Sequence, residues 1–186
     1  IDTTKAEVAR RAIEAGASIV NDISAMNADP RLGEVVAETD AAIVLMHMQG
    51  TPRTMQIAPS YHDVVAEVHA FLNERVEYAE SLGIPRSRIA IDPGIGFGKT
   101  FEHNLELMRN LPRFLDLGCA LLVGISRKGF LKPLTGKSMA ERTMSSVVSS
   151  LAACHSGAAV VRVHDVGPMV DAIKVWTALQ GWEMNR

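Results

Sequence analysis

Five short apolar runs rich in β-branched residues recur along the chain, and each of them predicts a β-strand. They are 17–22 (ASIVND), 41–48 (AAIVLMHM), 88–92 (RIAID), 120–126 (ALLVGIS) and 159–165 (AVVRVHD). The runs are nearly continuous rather than alternating, which is typical of parallel strands buried on both faces. The opening residues, IDTTK, have the pattern of a strand end running into a helix, so we count six strands in all.

Amphipathic helical patterns separate these predicted strands. They cover approximately 5–15, 30–39, 62–82, 102–115, 138–156 and 167–180. The first places Val8, Ala12 and Ile13 on one face and stops at Gly16, as helices commonly stop at glycine. Because no linker or low-complexity tract interrupts the series, we expect a single domain over residues 1–186.

The alternation of strands and helices predicts an α/β fold with a parallel sheet, either an open doubly wound sheet or a closed barrel. Each predicted strand ends in polar groups: Asp2, Asn21, His47, Asp92, the run Ser126-Arg127-Lys128, and Arg162 with His164. An open sheet concentrates its site at one switch point, whereas a barrel brings all its strand ends to one mouth. The pattern therefore favours a (β/α)8 TIM barrel. A complete barrel has eight units in about 250 residues, so we expect an incomplete barrel of about six units that lacks the first two.

Composition narrows the class of protein further. The chain is 47% hydrophobic and 22% charged with a formal net charge of −2, which is ordinary for a globular domain. It has no basic run to bind nucleic acid, no apolar run of the roughly 18 residues that would span a membrane, and no signal-peptide pattern. Cys119 and Cys154 lack metal-binding or redox spacing, so we expect two reduced thiols in a cytoplasmic protein.

Two carboxylates and an amide lie at strand ends, at Asp2, Asn21 and Asp92. Such groups suit a planar ligand rich in N–H donors, such as a 2-amino-4-oxo-pyrimidine edge, whose N–H fork a carboxylate accepts bidentately. The alternative is that they cap the helices that follow. Capping suits Asp2, which lies just ahead of a helix, better than Asp92, which precedes Pro93 and a glycine-rich loop.

Cationic side chains lie at the other strand ends, at Arg127, Lys128, Arg162 and His164. If they converge, they indicate an anion such as phosphate or pyrophosphate. A metal centre built from His47 and His164 is a rival interpretation, but neither an H-x-H nor an H-E-x-x-H pattern is present.

The segment IDPGIGFGK, residues 91–99, matches neither a P-loop nor a dinucleotide fingerprint, because its glycines have the wrong spacing for both. We expect its glycines to let the backbone fold closely over a flat ligand. Phe97 would then lie against a ring of that ligand, or else simply pack within the loop.

Six motifs, in order, resemble the strand-end motifs of the dihydropteroate synthase family: IDTTK, IVNDI, LMHMQGTPRTMQ, IDPGIGFGK, SRKGFL and VRVHDV. The resemblance runs from residue 1 to about residue 182. It implies a cytoplasmic barrel transferase of folate biosynthesis, commonly a homodimer and a target of sulfonamides. Such an enzyme joins 6-hydroxymethyl-7,8-dihydropterin pyrophosphate to p-aminobenzoate with the help of Mg2+, and it releases 7,8-dihydropteroate and pyrophosphate.

The resemblance also implies roles for individual residues. It assigns the pterin to Asp2, Asn21, Met46, Asp92, Lys128 and Arg162. Arg162 and His164 would hold the pyrophosphate, and Lys128, Arg162 and His164 would form the catalytic set. Phe97 and Gly129 would lie on the p-aminobenzoate side. The asparagine that helps bind the metal belongs to the absent N-terminal part, so we expect no metal ligand in this chain.

This chain departs from the family in two ways. It lacks the first two strand–loop units, so we expect these 186 residues alone to bind pterin weakly and to turn over little. It also has Gly129 where some relatives have a serine that hydrogen-bonds p-aminobenzoate. Two rival functions remain open: a methyltetrahydrofolate–corrinoid methyltransferase-like barrel, which has no pyrophosphate to hold, and a non-catalytic pterin-binding or scaffold fragment.

Overall fold

The structure, a computed structural model, describes residues 1–180. Their strands are β1 (Ile19–Asp22), β2 (Ala42–Met46), β3 (Ile89–Asp92), β4 (Ala120–Gly124) and β5 (Val160–Arg162). Their α-helices are α1 (Ala6–Glu14), α2 (Arg31–Ala37), α3 (Val64–Ser81), α4 (Phe101–Arg109), α5 (Lys132–Thr135), α6 (Thr143–His155) and α7 (Val166–Leu179). Short 3-10 turns cover Arg86–Arg88, Leu111–Leu117, Gly129–Leu131 and Met139–Glu141.

The strands form one parallel sheet in the order β1-β2-β3-β4-β5. The predicted sixth strand, at the start of the chain, is a single parallel bridge between Asp2 and Asn21 beside β1. Strand order thus follows chain order without the reversal that defines a doubly wound sheet. The prediction of an incomplete barrel is confirmed.

The sheet curls so that its two edges approach each other. Arg162, at the end of β5, reaches Asp2 beyond the opposite edge, with Nη2 and Oδ2 3.4 Å apart. Within residues 1–180 these edges share no backbone ladder, and the gap between them is lined by apolar side chains such as Ile1, Ile19 and Val160. The described residues therefore form a half-barrel whose strand ends face one mouth.

Strand position in the sheet explains which apolar runs are buried. In β2 and β3, the central strands, Ile43, Leu45 and Ile91 have no exposed surface because helices cover one face and the barrel interior the other. At the edges, Ile19 is 51% exposed and Val160 is 45% exposed. Continuous apolar runs thus mark strands buried on both faces only in the middle of this sheet.

One predicted helix ends earlier than its periodicity indicates. The pattern runs over 102–115, but α4 stops at Arg109 and a 3-10 turn over Leu111–Leu117 replaces its last turns. Pro112 lies in that turn, and because proline has no backbone N–H and clashes with the preceding turn, the α-helix cannot continue through it. Among the described helices, none combines the length and the apolar character that a membrane crossing requires.

The glycine-rich loop after β3 lies against the backbone of its neighbour. Gly94 and Gly98 have φ of +71° and +62°, a region that favours glycine. A Cβ on Gly94 would overlap the His47 carbonyl oxygen, and one on Gly98 would lie 2.5 Å from the Gln49 carbonyl oxygen. At these two positions the glycines let the loop pack on the segment that follows β2. That the loop also folds over a flat ligand stays a prediction.

Side chains from outside the loop fix its remaining backbone groups. Gly96 N–H donates to Asn104 Oδ1 at 2.6 Å, and Gln56 Nε2 donates to the Gly96 carbonyl at 2.7 Å. Tyr61 Oη donates to the Gly98 carbonyl at 2.8 Å. The loop therefore holds one shape at the mouth of the half-barrel.

We predict that Gly94→Ala destabilises the chain far more than Gly83→Ala. Both positions have positive φ, but a Cβ on Gly83 meets no atom within 4 Å, whereas one on Gly94 meets the His47 carbonyl. Backbone strain alone should lower the free energy of unfolding by about 1 kcal/mol in Gly83→Ala. In Gly94→Ala the overlap with the His47 carbonyl should lower it by about 2 kcal/mol or more in addition. Urea unfolding of the two variants measures the difference, and equal losses would contradict the packing described here.

Candidate functional site

One cavity at the carboxyl ends of the strands collects the predicted site residues. It is lined by Asp2, Asn21, Ile23, Met46, Asp92, Phe97, Gly124, Ser126, Lys128, Arg162 and His164. Eight of the nine residues assigned above by resemblance are in this set. The ninth, Gly129, lines an adjoining cavity together with Gly96, Lys99 and Phe130.

Asp92 is the buried anion of the cavity, with only 6% of its surface exposed. Gly94 N–H donates to its Oδ1 at 2.7 Å. The carboxylate therefore stabilises the turn at the start of the glycine-rich loop and does not cap a helix. Within residues 1–180, Oδ2 has no hydrogen-bond partner. Burial raises the pKa of Asp92, while the charge of Lys128 and the Gly94 N–H oppose that rise. The site thus holds a carboxylate with one oxygen available to a ligand.

Lys128 supplies a cation next to this carboxylate. Its ammonium donates to the Ile95 carbonyl and lies 4.6 Å from the centroid of the Phe97 ring, within the range of a cation–π contact. Burial lowers the pKa of Lys128 to about 8, against the opposing charge of Asp92. An ammonium has three N–H donors, so Lys128 can still donate to a ligand.

Asp2 and Arg162 face each other across the open side of the half-barrel. Their side chains are 55% and 64% exposed, and at 3.4 Å such a surface pair contributes little stability. Asp2 is exposed because its segment lies at the edge of the sheet. Asp2 is not the cap of α1: Asp29 Oδ2 accepts the Ala6 N–H at 3.0 Å. Both groups are free to meet a ligand.

Ser126 orients His164 at the rim of the cavity. The Ser126 hydroxyl lies 3.2 Å from the His164 backbone N–H and 3.0 Å from His164 Nδ1. The Ser126 oxygen can accept the backbone N–H while its hydroxyl hydrogen binds Nδ1. In that arrangement a neutral imidazole carries its proton on Nε2, where it can donate to an anion.

Arg127 does not join the cations of the mouth, and this expectation is wrong. It adopts φ of +59°, and its guanidinium forms two hydrogen bonds to Asp165, Nη2 to Oδ1 at 2.6 Å and Nε to Oδ2 at 3.1 Å. This pair lowers the pKa of Asp165. The cation therefore secures the loop after β4 to the start of α7.

The sequence reasoning missed the arrangement of His47 and Lys99. Lys99, 3% exposed, donates to His47 Nδ1 at 3.0 Å and to the Phe97 carbonyl at 2.9 Å. Burial and the Lys99 charge lower the pKa of His47 to about 3, and burial lowers that of Lys99 to about 7. His47 does not line the cavity that holds His164, and residues 1–180 contain no group of three potential metal ligands.

A parallel half-barrel with a buried carboxylate, an amide and basic side chains at one mouth defines an α/β-barrel protein that binds a small ligand at its strand ends. Comparison with known proteins names the family within this class. The family described as pterin binding enzyme matches residues 1–164, and the chain belongs to it. The resemblance drawn from the six motifs is confirmed at this level.

Individual relatives agree with the family match. The chain is 43% identical to a dihydropteroate synthase of Neisseria meningitidis serogroup C over 182 residues, covering 96% of this chain and 64% of the relative. A dihydropteroate synthase of Stenotrophomonas maltophilia, solved with imidazole in its active site, has 46% identity and a TM-score of 0.94 over 99% of this chain and 69% of that one. The Xanthomonas albilineans enzyme in complex with 7,8-dihydropteroate has 45% identity and a TM-score of 0.90, covering 98% and 66%. The chain thus spans about two thirds of the length of these relatives.

We predict that Ser126→Ala changes the tautomer of His164. Without the hydroxyl, Nδ1 loses its hydrogen-bond donor, and the preference for a proton on Nε2 should disappear. Nitrogen-15 NMR of labelled histidine distinguishes the two tautomers. Ser149→Ala, which removes a serine hydroxyl that does not line the cavity, serves as the control. A His164 spectrum unchanged by Ser126→Ala would contradict the assignment.

Proposed function

We propose that the protein to which this chain belongs is a dihydropteroate synthase, a transferase. It would condense 6-hydroxymethyl-7,8-dihydropterin pyrophosphate with p-aminobenzoate. The observation that carries the proposal is the meeting of Asp92, Lys128, Arg162 and His164 in one cavity, which pairs a buried carboxylate with groups suited to a phosphorylated leaving group. The relatives described above, one of them bound to 7,8-dihydropteroate, support it.

Asp92 would bind the pyrimidine edge of the pterin. Its Oδ2 is free, and its Oδ1, although bound to Gly94 N–H, retains acceptor capacity. A carboxylate that accepts two parallel N–H groups makes a strong, oriented pair. Asn21 would add an amide contact, Met46, 2% exposed, would pack beside the ring, and Lys128 would donate to the ring carbonyl.

Arg162 and His164 would hold the pyrophosphate. Departure of this group puts negative charge on the leaving oxygen and positive charge on the pterin methylene, and a guanidinium and an Nε2–H donor stabilise the former. The amine of p-aminobenzoate then attacks the methylene carbon and loses a proton. Such catalysis depends on position and electrostatics rather than on a strong base.

The p-aminobenzoate would lie on the side of Lys128 where Phe97 and Gly129 are found. Phe97 offers a ring at the cavity wall, and Gly129, at the start of a 3-10 turn, offers a backbone N–H instead of a side chain. Phe97 lines the cavity of Asp92 and Lys128, and Gly129 lines a second cavity together with Gly96, which lies next to the Lys128 side chain. A flat carboxylated ring would therefore bridge them.

Magnesium enters this proposal only with the pyrophosphate. The resemblance implies Mg2+, but residues 1–180 contain no three acidic, histidine or cysteine side chains close enough to hold an ion. The described part of the chain does not fit a magnesium site. Arg162 and His164 are the groups in this chain that would meet the charge of the leaving group.

A homodimer through α6 and α7 is part of the same proposal. A groove between these helices is lined almost entirely by apolar side chains, and several of them are well exposed: Met144 (68%), Val148 (58%), Val175 (60%) and Leu179 (78%). Exposed apolar surface on this scale marks an interface, and a pair of helices can pack on its own symmetry mate. We also propose a cytoplasmic location, as the family resemblance implies.

A corrinoid-dependent methyltransferase fits the cavity less well. That reaction has no anionic leaving group, so it does not explain why Lys128, Arg162 and His164 line the same cavity. A non-catalytic pterin-binding fragment fits the cavity, but it gives His164 no partner for its Nε2–H.

We predict that the product of the full reading frame releases pyrophosphate only when p-aminobenzoate is present. Lys128→Ala should lower kcat/KM at least tenfold, which corresponds to about 1.4 kcal/mol. Lys132→Ala, four residues further on and exposed, is the matched control. Pyrophosphate release independent of p-aminobenzoate, or Lys128→Ala kinetics equal to those of the control, would contradict the proposed function.

We also predict that the 186-residue chain alone shows little or no steady-state synthesis, because its half-barrel is open between Asp2 and β5. The same pyrophosphate assay, run at equal protein concentration beside the full-length protein, measures the ratio of rates. Comparable rates would show that the mouth described here is sufficient for catalysis.

A further inference from the structure

We propose that Lys99 is a positioning residue: from outside the cavity, its buried ammonium keeps the Asp92 carboxylate charged and holds the Phe97 loop in place. The consequence for ligand binding rests on the proposed function, whereas the coupling between Lys99 and Asp92 does not.

Lys99 is held at a fixed point behind the loop that begins at Asp92. Its Nζ donates to His47 Nδ1 at 3.0 Å and to the Phe97 carbonyl at 2.9 Å. A Cβ on Gly94, the residue whose N–H binds Asp92, would lie 3.3 Å from this Nζ. The ammonium therefore lies directly behind the turn that positions the carboxylate.

His47 serves Lys99 as a neutral acceptor. Its ring packs edge-on against Phe71, with centroids 4.9 Å apart, and is 7% exposed. Burial and the neighbouring ammonium keep the imidazole neutral, with a pKa of about 3. Because His47 brings no competing positive charge, the arrangement leaves the charge of Lys99 to act on Asp92.

A buried ammonium is costly unless an anion offsets it, whereas a methionine would fill the same space without that cost. The charge of Asp92 opposes the effect of burial on Lys99, and the charge of Lys99 opposes the effect of burial on Asp92. Lys99 and Asp92, although not in direct contact, thus lower the cost of each other's burial, which explains why a lysine can occupy this position.

The other groups that face Asp92 are Lys128, Arg162 and the Gly94 N–H. Lys128 and Arg162 line the cavity, so under the proposed function substrate engages them and shares their charge. Lys99 does not line that cavity; it lines the adjoining one, beside Gly129. A pterin in the cavity of Asp92 would therefore leave Lys99 uncontacted, and its charge would continue to act on Asp92 together with that of Lys128.

Lys99 also holds the backbone of Phe97, the aromatic residue of the cavity lining. The Phe97 carbonyl that it binds belongs to the residue whose ring lies 4.6 Å from Lys128 Nζ. Loss of the ammonium would release this carbonyl and would remove a positive charge near the carboxylate. One residue outside the cavity thus acts on both a charged and an aromatic part of its lining.

The test is an NMR titration of the chain with aspartate labelled at the carboxyl carbon, in which the Asp92 signal is assigned by its loss in Asp92→Asn. Lys99→Met keeps the length of the side chain and removes its charge, and it should raise the pKa of Asp92 by at least one pH unit. Lys99→Arg, which keeps a cation, should raise it less, and Lys132→Met, an exposed control, should not change it. An Asp92 pKa that is the same in folded Lys99→Met as in the wild type would overturn the proposal.

A reciprocal measurement decides the question if Lys99→Met does not fold. Coupling between two sites acts equally in both directions, so Asp92→Asn should lower the pKa of Lys99 below that of the wild type. The Lys99 side-chain signal, labelled with carbon-13 at Cε, reports this value. A Lys99 titration that Asp92→Asn leaves unchanged would also overturn the proposal.

Ligand binding then connects the coupling to function. The affinity of Lys99→Met for 6-hydroxymethylpterin, relative to wild type, should fall as the pH is lowered, because Asp92 without the nearby cation takes up its proton at a higher pH than in the wild type. A ratio that does not depend on pH would overturn the role of Lys99 in binding. Absence of pterin binding by the wild type would count against the proposed function alone, since the two NMR measurements need no ligand.

Discussion

The burial of a carboxylate at the end of β3 is the constraint on which the mouth of this half-barrel depends. An unpaired charge in such a place is costly, and the fold offsets that cost from several directions. Gly94 N–H binds Oδ1 of Asp92 at 2.7 Å, Lys128 faces it from the cavity, and Lys99 lies behind it. These contacts leave one oxygen of the carboxylate for a ligand.

The same constraint explains the glycine-rich loop. For the Gly94 N–H to turn back onto Asp92, the backbone must adopt positive φ where the next segment lies too close for any side chain. Gly98 repeats this close approach against Gln49, and Asn104, Gln56 and Tyr61 fix the carbonyl and N–H groups between them. The loop therefore supports Asp92 and Phe97 through its backbone contacts with the neighbouring segments.

The strand-end residues could be predicted from sequence because a parallel barrel brings the ends of its strands together whatever the details of packing. Asp92, Lys128 and His164 are far apart in the chain, yet their positions at strand ends were enough to place them in one cavity. Arg127 and Lys99 could not be assigned this way. Arg127 turns away from the mouth because it pairs with Asp165, a residue 38 positions later that sequence pattern alone does not connect to it. Lys99 is buried against the imidazole of His47, which comes from the end of another strand. The pattern of residues predicts which groups reach the mouth, and only tertiary contacts determine which way each one points.

The most direct test of this account is a fluorescence titration of the 186-residue chain with 6-hydroxymethylpterin. Asp92→Asn and the exposed control Asp116→Asn would be titrated alongside, with circular dichroism to confirm that all three proteins fold. The account predicts weak but saturable binding that Asp92→Asn reduces at least tenfold and Asp116→Asn preserves. Equal affinities for Asp92→Asn and wild type would contradict it, because the buried carboxylate would then have no part in holding the ligand.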